Sequence, residues 1–158
     1  MNAQQRERLA ASGLGAIHFD VPMKDYCTLR AGGQAAALLE VTSREELCSL
    51  LNLFVEEQIK FLVIGRGSNL LVADTGWSGA VIQLTGAFKD IEIPMREQDA
   101  VTVKVGAGCS LAKLVSWCSQ QGFAGLEFLV GIPGSVGGAV RMNAGAWGKE
   151  IGISQMMF

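Results

Sequence analysis

The residues with most to offer chemically are glycines. Gly131-Ile-Pro-Gly-Ser-Val-Gly-Gly-Ala-Val-Arg-Met-Asn-Ala-Gly-Ala146 puts five glycines and one proline into sixteen positions, yet it is too apolar for a linker. Gly134, Gly137 and Gly138 remove side chains where backbone must turn tightly or touch a ligand. Pro133 fixes the entry to the turn, while Ile132, Val136, Val140 and Met142 are expected to anchor it to a core. Such a surface suits a large flat cofactor with a charged linker. A glycine-rich turn between two packed elements is the plain alternative.

A second cradle is Gly65-Arg-Gly-Ser-Asn-Leu70, which follows an apolar run as a dinucleotide fingerprint would. Leu70 occupies the third glycine position and no helical periodicity follows, so a Rossmann reading fails. A P-loop fails too, for want of Gly-Lys-Ser/Thr. What remains is a tight turn whose N–H groups, with Ser68 and Asn69, can form an anion-binding nest, or an ordinary turn.

Other side chains offer less. Asn143 can hold a ligand edge or tie its own loop together, and the structural role is the simpler. Arg141 reads as a surface residue, and Trp77 and Trp147 as covers for the core edge. His18 is the sole histidine. Glu127, in an apolar stretch, needs either Arg30 or backbone N–H groups as partner, since a lone buried carboxylate is costly. Cys27, Cys48, Cys109 and Cys118 show no metal-ligand spacing and read as buried or half-buried free thiols. There is no Ser/His/Asp set and no paired-carboxylate cluster. Backbone cradles without side-chain chemistry fit a protein whose cofactor carries the reaction.

These cradles must be held by elements. Residues 1–20 read as a polar helix or loose arm, and Val21 to Gly33 as an irregular entry. Ala36–Val41 is strand-like. Ser43 opens a helix with Glu46 completing a capping box, and Leu47, Leu50, Leu51, Phe54 and Val55 give one buried stripe. Phe61–Ile64 and Leu70–Val72 read as extended, with Asp74–Gly79 as a turn. Strands are expected at Ala80–Leu84, Phe88–Ile93 and Val101–Val105. Ser110 caps a second helix whose Leu111, Leu114, Val115 and Cys118 share a face. The order predicts an α+β fold of two small layers.

Composition agrees. The chain has 158 residues, is 49% apolar and 18% charged, and carries a formal charge of −2. That argues against nucleic acid as the main partner. No run is long enough for a spanning helix or built like a signal peptide. A cytoplasmic protein with no membrane partner is expected.

The blocks YCTLRAGG (26–33), GRGSNLLVAD (65–74), VGAGCSLAKL (105–114) and GLEFLVGIPGSVGGAVRMNAGAWGKEI (125–151) together resemble the UDP-N-acetylenolpyruvoylglucosamine reductase (MurB) family of peptidoglycan synthesis. The resemblance implies an FAD-binding domain of the vanillyl-alcohol oxidase / p-cresol methylhydroxylase type, with two small α+β subdomains. It implies that Gly65, Gly67, Ser68 and Asn69 hold the FAD pyrophosphate. Ile132, Pro133, Gly134, Ser135, Gly138, Asn143, Ala144, Gly145 and Ala146 would line the flavin and ribityl chain. In the family, NADPH supplies a hydride that reaches the enolpyruvyl double bond of the UDP-sugar through the flavin, yielding UDP-N-acetylmuramate in the bacterial cytoplasm. The family's catalytic arginine, serine and glutamate lie downstream of any block matched here, so no catalytic residue is assigned. Residues 21–158 then read as an FAD-binding domain cut short at its C-terminal end, monomeric, without the substrate domain and inactive alone. Trp147 and Lys149 stand where the family more often has tyrosine and glycine. An FAD-linked oxidase of the same superfamily, or a complete non-catalytic flavin module, is the alternative. The last residues, Met156, Met157 and Phe158, are expected to leave an apolar, aggregation-prone sheet edge.

Overall fold

Ser43 and Ser110 each stand before an apolar helical stripe, and in the computed structural model each caps a helix. The structure describes residues 1–92, 95–96 and 101–153. The chain divides into two units, Met1–Ala87 and Phe88–Phe158.

The first unit opens with α1 (Ala3–Ala11), capped by Asn2 with Gln5 returning the bond. Strand β1 (Ala16–Pro22) follows. Position 20 therefore falls inside a strand: residues 3–11 form the helix that was one of the two expectations, while residues 16–20 belong to the sheet. The alternation of Ile17, Phe19 and Val21 accounts for β1. β2 (Gln34–Val41) pairs with it antiparallel. Helix α2 (Arg44–Glu56) then crosses to β3 (Phe61–Ile64), and β4 (Trp77–Leu84) completes the sheet. Strand order is β1-β2-β4-β3, with β2, β4 and β3 parallel. β2 and the middle of β4 are buried on both faces, as parallel strands under a crossover helix must be.

Several expectations change. Val55 points to solvent, and Leu50 and Phe54 carry the α2 contact. The turn ends at Gly76, because Trp77, Ser78 and Gly79 already belong to β4. Leu70–Val72 is not a strand. Leu70 and Val72 instead pack on the cluster of Val21, Met23, Ala35, Leu38, Ile64 and Val81.

The expected Phe88–Ile93 strand begins inside a 3-10 turn at Gly86–Lys89, and in the second unit a single bridge between Ile91 and Val105 follows; Ile93 lies outside the described residues. Short strands β5 (Met95–Arg96) and β6 (Val101–Thr102) pair antiparallel. Helix α3 (Leu111–Gln120) buries Leu111, Leu114 and Cys118. Helix α4 (Val136–Arg141) lies inside the glycine-rich run, where no helix was expected. A two-residue hairpin, β7 (Gly145–Ala146) and β8 (Lys149–Glu150), follows. Leu111, Phe128, Leu129, Ala139 and Ile151 form this unit's core, joined by Ile132, Val136 and Val140. Met142, expected to anchor the run, is exposed.

Candidate cofactor-binding site

In the first unit, β3 ends at the buried Ile64 and the chain turns through Gly65–Asn69. Gly67 has φ +67, and a Cβ there would lie 1.9 Å from the Tyr26 carbonyl oxygen. Thr28 N–H donates to Gly67 O at 3.0 Å, and Gln83 Nε2 donates to Gly65 O at 3.4 Å. The loop is thus clamped from below by Tyr26, Cys27 and Thr28. Sequence reasoning missed that clamp, although YCTLRAGG ends in the Gly-Gly pair that lets Gly33 N–H reach Ala73 O at 2.9 Å. Among the described residues, the N–H groups of Arg66, Gly67 and Asn69 donate to no protein acceptor. Arg66 and Asn69 are exposed. Arg66 has no carboxylate partner among the described residues, and N–H groups without a protein acceptor beside a guanidinium fit a phosphate-bearing ligand.

The second unit holds the other candidates. Ser135, only 3% exposed, caps α4 by accepting the Gly138 N–H at 3.2 Å. Val136 N–H donates to Cys109 O and Gly137 N–H to Ala107 O, both at 2.8 Å. The first turn of α4 is therefore satisfied internally and offers no free donor to an anion. Gly138 faces more open space: a methyl there would meet only Ser135 Oγ, at 3.2 Å. Gly131, Gly138 and Ala144–Ala146 bring no charge and little bulk, which suits a flat ring system better than a phosphate.

Asn143 is tied to the residues that follow the run. Its φ is +48, its Nδ2 donates to Glu150 Oε2 at 2.6 Å, and its Oδ1 accepts the Gly152 N–H at 2.9 Å. The hairpin turn is Trp147-Gly148, with φ +59 and +77, so both central residues are left-handed as a type I′ turn requires. Trp147 is 90% exposed and covers no core edge.

Of the remaining candidates, Glu127 is exposed and accepts Gly125 N–H at 2.9 Å; this bond, the largest cause, lowers its pKa. That is the backbone alternative. Trp77 does cover the core, donating Nε1–H to Ala80 O at 3.2 Å. Cys27, Cys109 and Cys118 are buried, and burial pushes the Cys109 and Cys118 thiols up, away from reactivity. Cys48, by contrast, is exposed. His18 lies on β1 opposite Leu38. Among the described residues no three metal-ligating side chains gather, and no helix is long and apolar enough to cross a membrane.

Residues 35–157 match a protein-family model described as an FAD binding domain. The chain belongs to that family. It is 44% identical over 146 residues to UDP-N-acetylenolpyruvoylglucosamine reductase of Syntrophus aciditrophicus, covering 92% of this chain and 46% of that protein. It is 45% identical over 137 residues to UDP-N-acetylenolpyruvoylglucosamine reductase 2 of Symbiobacterium thermophilum, covering 87% and 43%. The crystal structure of MurB from Thermus caldophilus aligns with a TM-score of 0.64 at 40% identity, covering 85% of this chain and 44% of that one. The chain therefore spans less than half the length of the curated relatives it matches. The FAD-binding fold expected from the sequence is the fold found. Gly65, Gly67, Ser68 and Asn69 fall in the first unit, and Ile132 to Ala146 in the second.

Proposed function

We propose that this chain is the FAD-binding part of a UDP-N-acetylenolpyruvoylglucosamine reductase, an NADPH-dependent, monomeric enzyme of the bacterial cytoplasm that makes UDP-N-acetylmuramate. The observation that carries this reading is the identity of 44% to such a reductase over 92% of the chain. In this reading Gly65, Gly67, Ser68 and Asn69 hold the FAD pyrophosphate, with the open N–H groups of that loop as donors. Ile132, Pro133, Gly134, Ser135, Gly138 and Asn143–Ala146 line the isoalloxazine and ribityl chain. The two loops divide the labour: the first offers hydrogen-bond donors and positive charge, the second a flat uncharged surface. FAD, when bound, supplies the hydride-transfer chemistry, and the chain's own residues orient it and shield it from water. Reduction of the UDP-sugar belongs to the longer protein.

The test is a titration of the purified chain with FAD and with riboflavin, following flavin fluorescence and the visible spectrum. FAD is expected to bind at least about tenfold more tightly, a difference of about 1.4 kcal/mol, because riboflavin lacks the pyrophosphate. Gly138→Ala should leave stability within about 1 kcal/mol, helix propensity offsetting the tight Ser135 contact. It should nevertheless weaken FAD. Equal binding of both flavins, or none, would sink the reading. NADPH oxidation dependent on the enolpyruvyl sugar is not expected from this chain alone, and observing it would overturn the division of labour.

A further inference from the structure

The hairpin that ends the glycine-rich run is bridged by a carboxamide as well as by its own backbone pairs. Asn143 sits just before β7, in a left-handed conformation, and its own N–H donates to Val140 O at 3.1 Å. Its Nδ2 reaches across to Glu150 on β8, while its Oδ1 takes the Gly152 N–H beyond that strand. A carboxylate only accepts, and a backbone N–H only donates. Flipping the amide would set oxygen against the Glu150 carboxylate and NH2 against the Gly152 N–H. The two partners therefore fix one orientation of the carboxamide. Gly152 must stay small for this contact, since a Cβ on it would stand 2.9 Å from Asn143 Oδ1.

We propose that Glu150 is a positioning residue for the flavin wall. It orients Asn143, and the pair sets the backbone path of Asn143–Ala146 so that the wall meets its ligand through loop shape rather than through the carboxamide. This rests on the flavin reading above. Asn143 then lines the cofactor through its backbone, with its carboxamide turned to Glu150 and Gly152.

Reversing the polarity of the pair tests this. Asn143→Asp alone places two carboxylates face to face and should lower both melting temperature and FAD affinity, the latter by about tenfold or more. Glu150→Gln alone keeps an acceptor for Asn143 and should change FAD affinity no more than about threefold. In the double variant, the glutamine NH2 donates to the aspartate, which still accepts the Gly152 N–H. Melting temperature, FAD affinity and the circular dichroism of the bound flavin should all return close to those of the parent. A double variant that regains the parent melting temperature but not FAD affinity overturns the proposal, because the carboxamide then touches the ligand. Purely additive melting shifts overturn it too. If the parent binds no FAD, the flavin reading falls, and the melting temperatures alone decide whether Glu150 sets Asn143.

Discussion

Gly67 and Gly148 show how two left-handed glycines can be needed to different degrees. The missing side chain of Gly67 is demanded by the protein, since a Cβ would lie 1.9 Å from Tyr26 O. Gly148 shares the left-handed φ, at +77, but nothing lies within 4 Å of where its Cβ would stand. Gly148→Ala should therefore cost only the backbone term, roughly 1–2 kcal/mol. Gly67→Ala should cost that and a displaced loop, about 1–3 kcal/mol more. Urea unfolding of both variants checks this, and equal costs would mean the Tyr26 clamp yields freely. The sequence made Gly67 a candidate through its neighbours Ser68 and Asn69. It could not show the clamp, because Tyr26 stands 41 positions earlier and the contact is made by backbone.

At the scale of elements, helix caps were the most legible signal. Ser43 Oγ accepts the Glu46 N–H at 3.2 Å, and Ser110 Oγ the Lys113 N–H at 3.1 Å. The Glu46 carboxylate reaches back to the Thr42 N–H at 2.6 Å. That bond, first among its causes, holds its pKa below the usual glutamate range, against a smaller cost of burial. A carboxylate whose folded pKa is depressed stabilises above its unfolded pKa, and that contribution is lost as pH falls through the folded value. Glu46→Gln should therefore cost about 1 kcal/mol at neutral pH. The gap to the parent should close as pH falls below about 4.3, the ordinary glutamate value. Urea midpoints measured from pH 7 to pH 3 decide it; a gap that ignores pH means the carboxylate charge contributes nothing. Helix α4 was illegible for the opposite reason. Two of its six residues, in VGGAVR, are glycines, each costing roughly 1 kcal/mol in a helix. Ser135, Cys109 O and Ala107 O supply from outside what local propensity withholds. β1 was legible in principle, because Ile17-His18-Phe19-Asp20-Val21 alternates apolar and polar residues as a half-buried strand does.

At the scale of the molecule, β3 is an edge strand of the first unit's sheet among the described residues. Phe61, Leu62 and Val63 are 43%, 39% and 47% exposed there, an apolar edge that invites pairing with another chain. The expected aggregation-prone end, Met156, Met157 and Phe158, lies outside the described residues. The visible liability is at β3. Val63→Lys should reduce self-association in sedimentation velocity at rising concentration, at a stability cost of about 1 kcal/mol or less. Association unchanged by the lysine would move the sticky surface elsewhere. The same strand order governs how the unit is made. β2 and β3 do not pair with each other; each pairs with β4, the last of the four in sequence. On a ribosome, the β1–β2 hairpin and α2 can form as they emerge, but no parallel ladder exists until residue 84 is out. The middle of the sheet is thus the last part to be synthesised, and its insertion is the step that commits the unit to fold.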